Sequence, residues 1–113
     1  MAGRRAAVEP LILITGDDFK WAYTWMPNGS QAPFPPNREL YYEFKNGTGG
    51  AWSGSLKWVY TISGAVASIR VESEIADTIT NRTPYRLVFR DKGASPTDKS
   101  VMIIGNVERQ EPR

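Results

Sequence analysis

The chain has 113 residues, 14 basic and 12 acidic side chains, a formal charge of +2, no histidine and no cysteine, a size at which one domain folds without covalent staples. The missing residue types exclude disulfides, thiolate metal sites and histidine-based acid–base or triad chemistry. The near balance of charge argues against nucleic-acid binding by the body of the domain.

Residues 1–10 read as a small basic arm carrying Arg4 and Arg5 and closed by Pro10. A β-sandwich domain is expected over residues 11–110, with 111–113 as a C-terminal tail. Leu11 to Thr15 is a short β-prone run, and Gly16-Asp17-Asp18 is a turn signal. The run Leu11 to Ile14 is too short for the apolar stretch of a signal peptide, about 7–15 residues. No apolar run approaches the roughly 18 residues of a membrane helix, so neither membrane insertion nor a readable targeting signal is expected.

Asp18 to Trp25 is the strongest predicted strand. Phe19, Trp21, Tyr23 and Trp25 alternate with Lys20, Ala22 and Thr24, so a period of two puts all four rings on one face. Residues 26–38 contain four prolines and read as a loop crossing between sheets. Leu40 to Lys45 alternates again, with Leu40, Tyr42 and Phe44 on one side and Tyr41, Glu43 and Lys45 on the other. Asn46 to Ser55 is a glycine-rich loop around Trp52. Lys57 to Ile62 and Ala65 to Val71 are further strands about a Ser63-Gly64 turn.

Residues 72–80 break the rhythm. Ser73 is placed to cap a short helical turn with Glu74 in its first turn, and Ile75, Ala76 and Ile79 share a side at helical spacing. Tyr85, Leu87 and Phe89 alternate with Arg86, Val88 and Arg90 after Pro84. The last strand, Ser100 to Glu108, contains Gly105-Asn106, the signature of a bulge. The expected fold class is therefore all-β, a single antiparallel β-sandwich of about seven strands with one short helical turn.

No catalytic, cofactor-binding or metal-ligating residue is assigned. Asp17 and Asp18 point to opposite faces if they continue a strand, and in a turn they supply too few oxygens for calcium; an Asx-type turn is preferred. The glycine loop lacks the Walker spacing, and Ser55 with Lys57 has only proximity to suggest a nucleophile pair. Alternating charges such as Arg38-Glu39 and Arg90-Asp91-Lys92 read as a mixed solvated surface. Most of the thirteen aromatic residues fall on core faces. Phe34 and Trp52 lie in loops, and each is either an anchor for a partner protein or glycan or a plug for an open end of the sandwich; Tyr41 is a third candidate contact. Arg4, Arg5, Arg109 and Arg113 lie outside the predicted strands and are candidate assembly arms.

The segments PLILITGDDFKWAYTW, LYYEFKNG, WVYTISGAVASIRVESEIADTITNRTPYRLVFRD and MIIGNVERQ resemble the LtfC-like β-sandwich domain of phages of mycobacteria and related actinobacteria. The resemblance runs from about Pro10 to about Gln110. It implies a virion structural protein, a minor tail protein or capsid decoration protein, with no assigned catalytic residues and no cofactor. Its implied partners are other virion proteins, in a homo-oligomeric or multi-copy arrangement, and its implied location is the virion. A carbohydrate-binding module for the host cell wall, using Trp52, Phe34 and Tyr41, is the rival expectation, and a hydrolase is a distant third.

Overall fold

Alternation of bulky apolar and polar side chains decides the architecture, because every second residue of a strand faces the same way. The computed structural model describes residues 6–45, 57–92 and 98–110. Its elements are β1 (Ala7–Val8), β2 (Leu11–Ile14), β3 (Phe19–Thr24), β4 (Arg38–Phe44), β5 (Lys57–Val59), β6 (Thr61–Ser63), β7 (Val66–Val71), α1 (Ser73–Ala76), β8 (Pro84–Asp91) and β9 (Asp98–Gln110). They form the expected β-sandwich. The larger sheet runs β1-β9-β8-β4-β5, with β2 also on β9, and the smaller runs β3-β7-β6.

Two features differ from the expectation. The run Lys57 to Ile62 is two strands in different sheets: β5 pairs with β4, and β6 pairs with β7. The residue between them, Tyr60, donates its N–H to the Leu40 carbonyl at 2.8 Å and so holds the crossing against the larger sheet. The sandwich is also not wholly antiparallel. β1 and β2 run parallel to β9, Ala7 opposite Ile103 and Leu11 opposite Val107. Nine strands therefore stand among the described residues where about seven were expected.

The core lies between the sheets and is built mainly of rings. Phe19 of β3 meets Tyr42 of β4 and Trp58 of β5, each at 5.9 Å between centroids. Phe44 meets Trp58 edge-on at 4.7 Å. Leu11, Leu13, Leu40, Ile69, Val71, Leu87 and Val107 fill the spaces between them. Tyr42 and Tyr60 are buried, but their hydroxyls bond each other at 2.9 Å, which satisfies the polar ends of otherwise apolar side chains. Burial pushes both hydroxyls far above the usual tyrosine range, so they stay neutral donors.

The N-terminal strands reach the sheet through a close crossing. Gly105 of β9 lies beneath Glu9, and a Cβ there would stand 2.0 Å from the Glu9 carbonyl oxygen. That same oxygen accepts the Tyr85 hydroxyl at 2.6 Å, while the Glu9 N–H donates to Ile104 at 3.1 Å. Gly105 is thus required for contact with backbone, and it is not a bulge: Gly105 and Asn106 pair in register with Tyr85 and Pro84. The register shift falls instead opposite Leu87/Val88, where Ile103 and Val101 find partners and Met102 is skipped. The described part of the expected arm, residues 6–10, is accordingly docked on the domain's own sheet.

A methyl group at residue 105 must push Glu9 away. Gly105→Ala is expected to lower stability by roughly 1–3 kcal/mol, read by thermal denaturation. Amide exchange at Glu9 and Leu11 should rise more than in β4 or β8, and unchanged protection there would contradict the crossing.

Candidate functional site

Arginine near the end of a short helical segment can cap carbonyls that have no intrahelical partner. Arg109, expected in a free arm, does this from β9. One guanidinium nitrogen donates to the Ala76 carbonyl at 3.0 Å and the Ile79 carbonyl at 2.9 Å; the other donates to Thr15 Oγ1 at 3.1 Å and Asp77 Oδ1 at 2.9 Å. Its backbone N–H is held by Asn81 Oδ1 at 3.0 Å. Only 9% of the side chain remains exposed. Arg109 is therefore a corrected assignment: it is a clamp inside the domain. Arg4, Arg5 and Arg113 lie outside the described residues.

The Asp17-Asp18 pair is likewise structural in its second member. Asp18 Oδ1 accepts the Ser73 N–H at 2.9 Å, and Oδ2 meets Arg70 at 2.8 Å. The N-cap residue of α1 is Glu72, without a side-chain bond, so Asp18, just ahead of β3, supplies the capping oxygen that the Ser73 hydroxyl was expected to provide. Of the residues expected on the buried side of this turn, Ala76 and Ile79 are buried, whereas Ile75 is exposed. The Ser73 amide and the Arg70 guanidinium hold the Asp18 carboxyl below its ordinary value. The preceding turn is closed by the Asp17 N–H on the Ile14 carbonyl at 3.0 Å, with Gly16 at φ 90°, the third position of a type II turn.

The charges expected on a solvated surface are cross-strand pairs. Arg38 faces Asp91, Glu39 faces Arg90 and Glu43 faces Arg86 across β4 and β8. Arg86 Nε donates to Glu43 at 2.6 Å, and Arg38 meets Asp91 at 2.6 Å. Tyr41 sits between the Glu39–Arg90 and Glu43–Arg86 pairs on the outer face of the larger sheet and is buried to 2% exposure, with Lys57 Nζ 4.5 Å from its ring centroid. Burial, and then the Glu43 charge, push its hydroxyl up. Tyr41 is therefore not an accessible contact. Phe34 is half-buried, 5.3 Å from Trp25 and 6.2 Å from Phe89, and its N–H is fixed on the Gly64 carbonyl, so it plugs an end of the sandwich. Trp52 lies outside the described residues.

What remains open is a seam along one side of the sandwich. β3 ends the smaller sheet, and β2 lies on the far side of β9 from β8. Between β2 and β3 is a cleft of about 380 Å³ that reaches Tyr42 and Tyr85 at its floor. Further along the seam a smaller apolar pocket of about 220 Å³ lies between Thr24 and Trp25 on one side and Met102 and Ile103 on the other. Trp21, expected in the core with Phe19 and Tyr23, is 56% exposed at the edge of the cleft, and Ile12 and Ile14 are also exposed. Period two places Trp21 on the inner face but does not reveal that this stretch of the face borders an open cleft. The floor is chemically quiet: burial pushes the Tyr85 hydroxyl up to about 12, so it remains a neutral donor. Among the described residues no three carboxylates gather as a metal site.

One family, described as an LtfC-like, beta-sandwich domain, has a sequence model that matches residues 5–110. The chain belongs to this family. No curated protein matches it. The LtfC-like match begins at Arg5, ahead of β1, and ends at Gln110, the last residue of β9, so it takes in both N-terminal strands and the Arg109 clamp.

Arg109→Ala removes at once the bonds to the Ala76 and Ile79 carbonyls, Thr15 Oγ1 and Asp77 Oδ1, and is expected to cost on the order of 2–4 kcal/mol. Arg109→Lys, which keeps the charge but not the planar fork, should recover only part of that loss in a denaturant titration. For Asp18 the sign follows from its lowered pKa: the charged form is favoured by folding, so its contribution is complete above the ordinary value of 3.8 and fades as pH falls through it. The stability gap between wild type and Asp18→Ala should narrow on acidification below that value, and a gap independent of pH would contradict the assignment.

Proposed function

We propose that this LtfC-like domain is a structural component of a bacteriophage particle, a minor tail or capsid decoration protein that works through protein–protein contacts and carries no catalytic site. The observation that carries the reading is the seam: a strand edge unpaired among the described residues, beside an open cleft and an apolar pocket, with Trp21 half exposed at the rim. Such a surface suits docking of another polypeptide. Polar groups of the kind that carries chemistry are engaged within the fold: Asp18 with Ser73 and Arg70, Glu43 with Arg86, Arg109 with the Ala76 and Ile79 carbonyls. The sequence resemblance to phage virion proteins supplies the kind of assembly. A glycan platform has less support, since Phe34 and Tyr41, two of its three aromatics, are packed within the domain.

Quantitative mass spectrometry and labelled imaging of purified phage particles test this. The domain should be present at a fixed multiple of a known particle protein and at one location. Its absence from washed particles would refute the proposal, as would turnover of a cell-wall substrate that Trp21→Ala abolishes without loss of fold.

A further inference from the structure

The free edge of β3 has a definite hydrogen-bonding register. Trp25 donates its N–H to Ala65 at 2.8 Å, and β3 pairs with β7 as Trp21 opposite Ile69 and Tyr23 opposite Ala67. In an antiparallel pair the inward-bonding residues alternate, so the backbone groups of Phe19, Trp21 and Tyr23 point to β7. Those of Lys20, Ala22 and Thr24 point away from it, and among the described residues no strand pairs with them. Three successive outward residues repeat at roughly 6.8 Å, a spacing matched by another extended backbone.

We propose that this edge pairs with the same edge of a second copy, antiparallel, about a two-fold axis at Ala22. In this register Lys20 lies opposite Thr24 of the second copy, Ala22 opposite Ala22, and Thr24 opposite Lys20. The three pairs give about six backbone hydrogen bonds, and the two small sheets become one continuous sheet. Shifting the axis to Trp21 or Tyr23 loses a bonded pair, and shifting it to Lys20 sets two like charges face to face, which is unfavourable. The Ala22 register also makes Trp21 the close, non-hydrogen-bonded neighbour of the second copy's Tyr23, the geometry in which cross-strand aromatic pairs are most favourable. That accounts for a tryptophan left 56% exposed in an otherwise aromatic core face.

The other sheet ends offer less. β5 and β6 are three residues each, against six in β3. On β2 the Ile14 carbonyl is already bonded to Asp17. The β3 edge has no proline and only one charged side chain, Lys20, so it lacks most of the usual protection against edge pairing. The pairing is isologous and closes on itself, giving a finite dimer. The inference rests on the assembly reading for its biological use, but its geometry is independent of where the domain sits.

The full chain contains no cysteine, so Ala22→Cys introduces a single thiol on the proposed axis. Mild oxidation should convert most of it to a covalent dimer, whereas Val59→Cys, on exposed β5, should stay monomeric. Light scattering of the wild type should show a monomer–dimer equilibrium. Ala22→Pro, which removes an outward N–H and spares the ladder to β7, should move its midpoint to at least about tenfold higher concentration; Ala22→Lys should do the same if the proline variant folds poorly. A wild type that stays monomeric with uncrosslinked Ala22→Cys would overturn the proposal, as would a dimer that persists in both variants. Cross-linking through Val59→Cys instead, or capture of a different particle protein at residue 22, would also overturn it. A monomer found in particles sinks the dimer alone; a dimer absent from particles sinks the virion reading alone.

Discussion

One guanidinium joins β9 to two pieces of chain, the α1 segment and the turn after β2, that share no ladder with each other. Arg109 reaches from β9 to the end of α1, to Ile79 beyond it and to Thr15 after β2, and Asp77 in turn accepts the Gly16 N–H at 3.2 Å. The turn after β2 sets where β3 begins, and Asp18 ties that beginning to Ser73. The two sheets are thus held at this end by a polar lattice whose centre is withdrawn from water. An arginine suits the position because its planar fork can meet four acceptors from one side chain. Along the rest of the interface the sheets are held by rings, which need only bulk and approximate complementarity.

The two kinds of contact were unequally visible in the amino-acid order. Alternation revealed β3, β4, β7 and β8 because each has bulky residues at every second position, and Leu40, Tyr42, Phe44, Leu87 and Ile69 stand in the core where that pattern puts them. It cannot distinguish a ring packed under a facing strand from a ring at the rim of a cleft, where Trp21 stands. Nor can it tell that Tyr41, alternating correctly toward the outer face, is shielded there beside paired charges. Glu43 and Arg86 are 43 positions apart in sequence, and their pairing exists only once β4 and β8 are in register.

Arg109 shows the same limit from the polar side. A charged residue near a chain end reads as solvated unless its partners are known, and the partners of this side chain lie 30 to 94 positions away. Gly105 is informative as a residue type but does not mark a bulge. Glycine in a strand marks either a bulge or a close approach of backbone, and choosing between them requires the path of Glu9. The LtfC-like resemblance identified the domain across both kinds of region, although it carried no account of which side chains do what.

The parallel seating of β1 and β2 on β9 has a mechanical consequence. Because the first and last strands run the same way, pulling the two ends of the domain apart slides β2 along β9 lengthwise. The rungs from Leu11 to Ile14 would then bear the load together rather than opening one by one like a zipper. Force would enter beside Ile103 and leave beside Ile14, so the domain would resist stretching most strongly along the line joining its own ends.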